Sequence, residues 1–251
     1  MNVKFFGASM LTASLFFSAA ALAQTAPDYA ALIEQAHQKY KSNNDGKVAD
    51  YIPALATYSP NNFAITLATV DGKIYQAGDI NKAFPMESLS KVFTLALAME
   101  QHGPQEVLDK LGANATGLPF NSGLAVELTK GAPENPLVNA GAMSTVSLID
   151  AKDKTDRWNK ILTNLNAWAD ATLTVNEPVF RSEMETNQHN QALAQLMASY
   201  NSFYGDTQEA VEIYTRQCSV DVTVEQLAKM GAVLANKGKS PFNGKQLLNV
   251  R

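Results

Sequence analysis

A single cysteine, Cys218, leaves this chain no internal disulfide in any redox compartment. The three histidines, His37, His102 and His189, form no His-Glu-x-x-His pattern and have no paired cysteines nearby, so neither a metal site nor a cofactor is expected. Glycine-rich phosphate loops and a Gly-x-Ser-x-Gly elbow are also missing. Charge is sparse at 18% of positions, and 20 basic against 24 acidic side chains give a net charge of -4 without any long run of one sign. That balance gives no phosphate-tracking footprint, and nucleic acid is excluded as a partner. What is plentiful is apolar surface: 46% of 251 residues are hydrophobic, enough to bury a sizeable core in one large or two small domains.

Only one long apolar run occurs, at the N-terminus. Lys4 supplies a positive start, Met10 to Ala20 an apolar stretch, and Ala21-Leu22-Ala23 a small-x-small cleavage site. The run is shorter than the ~20 residues needed to span a bilayer, so residues 1–23 are read as an export signal and residues 24–251 as one soluble, periplasmic or secreted domain. Loss of Lys4 leaves 19 basic and 24 acidic residues, a mature charge of -5, with no membrane attachment expected after cleavage.

Apolar periodicity predicts helices over Tyr29–Tyr40, Met86–Gln101, Leu137–Leu148, Asp156–Ala169, Glu183–Tyr200, Gln208–Gln217 and Val224–Lys237. The last opens on a Thr223-x-x-Gln226 capping box and closes at Gly238. Asp71-Gly72 between two β-rich runs, Phe63–Val70 and Lys73–Gln76, predicts a hairpin. The class is therefore α+β. A two-stranded hairpin needs further strands or a helical cover, and at most one other strand is legible. The chain also stops at Gln246–Arg251 within an amphipathic pattern that carries no stop signal, which reads as a C-terminally incomplete domain.

One short motif has chemical content. Ser88-Leu89-Ser90-Lys91 sets a hydroxyl and an amine at i and i+3, spaced to meet on one face at the start of the 86–101 helix. The helix dipole and burial both disfavour an ammonium there, which turns the lysine into a base for the serine. By itself the motif has little weight, since 15 serines and 16 lysines in 251 positions give about one such match by chance.

The surrounding words carry more. Val48-Ala49-Asp50-Tyr51-Ile52-Pro53, Phe84-Pro85-Met86-Glu87-Ser88-Leu89-Ser90-Lys91-Val92-Phe93, Gly117-Leu118-Pro119-Phe120-Asn121-Ser122 and Asn135-Pro136-Leu137-Val138-Asn139-Ala140-Gly141-Ala142 follow in order. They are followed by Ser182-Glu183 with Asn190, Tyr214 before Gln217-Cys218-Ser219, and Met230-Gly231-Ala232. Over about residues 30–245 the sequence resembles the serine-dependent glutaminases. The resemblance implies a β-lactamase or penicillin-binding-protein-like fold, with a helical subdomain beside an antiparallel sheet, and hydrolysis of the L-glutamine side-chain amide to glutamate and ammonia. Ser88 matches the family's nucleophile, Lys91 its base and Tyr51 a tyrosine beside them. Asn139, Glu183, Asn190 and Tyr214, with Ser88, match substrate-binding positions. A free amino acid needs one anion for its ammonium, for which Glu183 is suited, and neutral hydrogen-bonding groups for the rest.

The resemblance also implies a homotetramer. In addition, it implies a tyrosine-bearing segment and a Lys-Ser-Gly-Val strand that these residues do not contain. That strand supplies the second oxyanion donor beside the Ser88 N–H, so the complete gene product is expected to be a glutaminase and the 251-residue form to be inactive or poorly folded. Two other readings share the Ser-x-x-Lys: a penicillin-recognising enzyme, for which no Ser-Asp-Asn, Tyr-x-Asn or Lys-Thr-Gly is present, and a noncatalytic glutamine-binding relative. Each residue also has a plainer role open to it: Asn139 as a helix cap, Glu183 as a dipole partner in a first helical turn, Asn190 as a solvated helix residue, Tyr51 and Tyr214 as packing, and Cys218 as a small buried hydrophobe.

Overall fold

The computed structural model describes residues 27–249, and the export signal read at Met1–Ala23 lies outside them. Helix α1 (Tyr29–Tyr40) starts where the Asp28 carboxylate accepts the Ala31 N–H. Strands β1 (Ala64–Ala68) and β2 (Ile74–Gly78) form the expected antiparallel hairpin, with Ala64 opposite Gly78 and Ala68 opposite Ile74. Gly72 takes φ +81° in the turn between them. The hairpin is covered by α1 and by helix α10 (Val224–Ala235), which supply the apolar surface that two strands alone lack. The capping box at the head of α10 is complete: Thr223 Oγ1 accepts the Gln226 N–H and Gln226 Oε1 accepts the Thr223 N–H.

The remaining helices are α2 (Ser90–His102), α3 (Pro104–Leu111), α4 (Gly123–Leu128), α5 (Asn139–Leu148), α6 (Lys154–Ala169), α7 (Glu177–Thr186), α8 (Gln188–Ser199) and α9 (Thr207–Cys218). Every residue of α5 is buried, and α2, α8 and α9 pack around it. A helix with no exposed face belongs at the centre of a core, and the small side chains of Asn139–Leu148 let its neighbours approach closely. Leu111, Met143, Val146, Ile161, Leu165 and Trp168 are among the most deeply buried residues of that core.

Several expectations need correction. The 86–101 helix starts only at Ser90, after a 3-10 turn over Glu87–Leu89. It ends at His102, one residue past the expected Gln101, and Pro104 opens α3, since a proline at the head of a helix forfeits no hydrogen bond. The predicted 183–200 helix is two helices. Asn176 Oδ1 accepts the Val179 N–H and starts α7 early, which places Glu183 past mid-helix and not in a first turn. Buried Asn187 ends it, donating to Thr215 Oγ1 on α9 and accepting from Gln191 Nε2. Helix α5 begins two residues later than Leu137 because Asn135 Oδ1 accepts the Leu137 and Val138 N–H groups and holds that turn out of helix.

More sheet exists than one extra strand. Strands β3 (Phe84–Pro85), β4 (Thr174–Val175) and β5 (Val220–Val222) make an antiparallel sheet in the order β3-β5-β4. Each is too short to show a period of two in the text. This sheet is the hub of the molecule: β5 leaves the end of α9, the Met86 N–H donates to Val220 O at 2.9 Å, and the Asn176 N–H donates to Ser219 O at 2.7 Å. The starts of the Ser88 turn and of α7 are thus pinned to two adjacent residues, Val220 and Ser219.

Candidate active site

That pinning determines what faces what. Ser88 lies in the 3-10 turn before α2, Lys91 in the first turn of α2, Asn139 at the first position of α5, Glu183 on α7, Asn190 on α8 and Tyr214 on α9. Ser88, Asn139, Glu183, Asn190, Tyr214 and Tyr51 line one cavity of about 460 Å³, together with Glu87, Phe120 and Cys218. Lys91 is buried behind this cavity and is joined to it through the lining residue Asn139. All seven residues expected to act together are brought together.

Lys91 is held by two acceptors, Asn139 Oδ1 at 2.7 Å and Leu137 O at 3.0 Å. The Leu137 carbonyl is available because the Asn135 side chain keeps residue 137 out of α5. Burial pushes the Lys91 ammonium below its ordinary range, against the opposing pull of the neighbouring acids Cys218 and Glu183. A neutral amine has two N–H bonds and one lone pair. The two acceptors match the two N–H bonds and leave the lone pair as the third position. The phenol of Tyr214 donates to Asn139 Oδ1 at 3.2 Å, the same oxygen that Lys91 Nζ reaches, so Tyr214, Asn139 and Lys91 form one cluster, and Tyr214 and Asn139 line the cavity with Ser88. Burial raises the Tyr214 phenol well above its usual range, which keeps it a neutral donor.

Asn139 does not cap α5; the residue at the cap is Val138, and Asn139 Nδ2 instead donates to Asn190 Oδ1 at 3.0 Å. Asn190 is half-buried and is not a solvated helix residue. Glu183 is 9% exposed and its Oε2 has no hydrogen-bond partner, so burial, and then the nearby Glu87 carboxylate, push its carboxyl up to about 8. Cys218 is buried beneath the cavity and burial pushes its thiol up, which disfavours the thiolate a second nucleophile would need. Tyr51 is the outlying member: it is exposed on the rim, and its hydroxyl reaches Glu87 Oε2 at 3.5 Å.

Glu87 was not foreseen. It precedes Ser88 in the motif word, and that adjacency was the one signal available. Its Oε1 is buried without a partner, and burial raises its carboxyl to about 7. Two carboxyls on one small cavity, each disfavoured as an anion by burial, make a site suited to a compact cation. Ser90 and Gln217, both fully buried beneath the Ser88 turn, were also not singled out.

Comparison with known proteins agrees with this arrangement. The family model described as Glutaminase matches residues 46–251. A glutaminase of Colwellia psychrerythraea is 48% identical over 223 residues, covering 89% of this chain and 72% of that protein. One of Mycobacterium ulcerans is 48% identical over 213 residues, covering 85% and 67%. Among solved structures, the probable glutaminase ybaS superposes with a TM-score of 0.85 at 46% identity, over 86% of this chain and 70% of that one. A probable glutaminase from Bacillus subtilis in complex with 6-diazo-5-oxo-L-norleucine does so with a TM-score of 0.79 at 28% identity, over 89% and 69%. The α+β architecture, helices beside small antiparallel sheets, is the β-lactamase-like fold of these neighbours. On the family match and the identity of these relatives, the chain belongs to the glutaminase family.

Proposed function

We propose that this protein hydrolyses the side-chain amide of L-glutamine to L-glutamate and ammonia, with Ser88 as nucleophile and Lys91 as its base. The observation that carries the reading is the setting of Glu183 on one cavity with Lys91 held behind it: an amine satisfied by two acceptors, and a buried carboxyl oxygen with no partner. The substrate ammonium would supply the partner that Glu183 lacks. Asn190 and Tyr214 would orient the remainder of the amino acid without adding charge near Lys91.

In the first step the Ser88 hydroxyl proton passes to Lys91 Nζ as Oγ bonds to the amide carbon, and the developing oxyanion is met by the Ser88 N–H. The C–N bond then breaks, the nitrogen takes the proton held on Lys91 Nζ and leaves as ammonia, and an ester joins Ser88 to the glutamyl group. Water, activated by the same amine, cleaves that ester to release glutamate and restore the hydroxyl. No cofactor takes part in these steps. Ammonia release from glutamine and its loss in Ser88→Ala test the reading. Covalent labelling of Ser88 by 6-diazo-5-oxo-L-norleucine, located by peptide mass, is the expected companion result. Labelling at any other residue, or acylation by a fluorescent penicillin in place of turnover, would overturn it.

A further inference from the structure

We propose that Ser90 and Gln217 are positioning residues that lock the Glu87–Ser88 peptide in the orientation the nucleophile and its backbone N–H need; the inference rests on the amide hydrolysis proposed above. Glu87 has φ +50°, a left-handed backbone that disfavours a side-chain-bearing residue and persists only when its surroundings enforce it. The enforcement is visible. Ser90 donates to Glu87 O twice, through its backbone N–H and through Oγ at 2.8 Å. The carbonyl of Glu87 and the N–H of Ser88 belong to one planar trans peptide, so fixing the first fixes the second.

The Ser90 hydroxyl has a rotor of its own, and Gln217 sets it. Gln217 Nε2 donates to Ser90 Oγ at 3.3 Å, occupying a lone pair and leaving the hydroxyl hydrogen to point at Glu87 O. Thr94 Oγ1 in turn donates to Gln217 Oε1 at 2.8 Å, which fixes the amide the right way round. Were the amide reversed, Oε1 would draw the Ser90 hydrogen away from Glu87. All three side chains are fully buried, with Ser90 and Gln217 at 0% and Thr94 at 1% exposure, so water does not compete. None of them lines the cavity; Ser90 Oγ also lies 3.7 Å from Sγ of Cys218, which does, and the Ser90 Oγ hydrogen bond to Glu87 O is the link to the turn.

The test compares Ser90→Ala, Gln217→Met and Thr94→Val with the unaltered protein and with Ser144→Ala. The control removes a buried hydroxyl that donates to Ser202 O, away from the Ser88 turn. Each is assayed well below its own melting temperature, both for glutamine turnover and for the limiting rate and half-saturation of labelling by 6-diazo-5-oxo-L-norleucine. Ser90→Ala and Gln217→Met are expected to lower kcat and the limiting labelling rate about 10- to 100-fold while KM and half-saturation stay within about threefold, the signature of a misoriented nucleophile beside an intact pocket. The Ser90→Ala, Gln217→Met double variant should be no slower than the worse single, and Thr94→Val, which keeps the Ser90 hydroxyl, should fall in between. Ser144→Ala should keep the parent kcat. Rates within about twofold of the parent in Ser90→Ala and Gln217→Met, or an equal loss in Ser144→Ala, would overturn the assignment while leaving the proposed function standing. If the unaltered protein neither turns over glutamine nor labels at Ser88, both fall together.

Discussion

Replacing Glu183 by glutamine should make the protein less sensitive to alkaline pH and ruin its pocket at the same time. In the folded chain burial raises the Glu183 carboxyl from 4.5 to about 8. A carboxyl raised on folding contributes full stability below its unfolded value and loses it as pH rises through the folded value, so the wild type is penalised progressively from pH ~4.5 to ~8. At 1.36 kcal/mol per unit, the penalty is about 1 kcal/mol at pH 5 and approaches ~4 to 5 kcal/mol at pH 8.5. Glutamine has the same shape and no proton to lose. Its buried amide carries a fixed offset of about 1 to 3 kcal/mol that does not depend on pH, and the diagnostic quantity is therefore the slope. The stability of Glu183→Gln relative to wild type should climb by roughly 3 to 4 kcal/mol between pH 5 and 8.5, an increase in the melting-temperature difference on the order of 10 °C. Thermal unfolding followed by circular dichroism across that range reads it directly. The same substitution should raise KM for glutamine about 10- to 100-fold at pH 8.5, because an ion pair to the substrate ammonium is lost. Melting curves that run parallel in pH would show that Glu183 is ionised at ordinary pH in the folded protein, and the argument from its unpartnered oxygen would fail.

Other substitutions probe the same framework. Asn139→Asp places an anion where Lys91 now meets a neutral oxygen, which favours the ammonium; the acid limb of the kcat/KM profile should move to higher pH and activity at pH 7 fall, as a pH-rate series will show. At Gly141 an added Cβ would press into Asn135 O, displacing the turn that presents Leu137 O to Lys91. Gly141→Ala should therefore cost at least about 2 kcal/mol in denaturant titration and reduce kcat as well. Gln226→Ala breaks half of the α10 capping box on the far side of the hairpin, and should lower stability by about 0.5 to 1 kcal/mol with kcat unchanged.

Much of this was legible in the text because it is local. A capping box, an Asp-Gly turn and an apolar stripe are each written within a few residues, and α10, the β1-β2 hairpin and the end of α2 stand where those signals put them. What was illegible is what distance in sequence conceals. Strands of two or three residues carry no period, so β3, β4 and β5 could be found only through partners over 40 residues away. The break at Asn187 is owed to Thr215, and an asparagine in a helical pattern gives no hint that its side chain is drawn inward. Likewise, i and i+3 spacing placed Ser88 and Lys91 on one side of a turn, but said nothing of Leu137 and Asn139, the two groups that hold the amine.

The seven expected residues come from six separate stretches, and what makes them one site is the junction of α9 with β5. Over seven residues, Tyr214 reaches Asn139, Thr215 breaks α7 from α8, Gln217 steadies Ser90, Ser219 anchors the head of α7 and Val220 anchors Met86. A single short segment thereby sets the position of the serine, of the carboxylate across from it and of the amide that holds the lysine. The cavity tolerates two raised carboxyls and a suppressed ammonium because this junction is dry and fully hydrogen-bonded. Its members are buried, each has a partner, and the strain at Glu87 is confined to the one peptide that carries Ser88. Polar groups under such a floor have little freedom to reorganise, so a site assembled this way spends little on reordering its dipoles when charge develops at the serine.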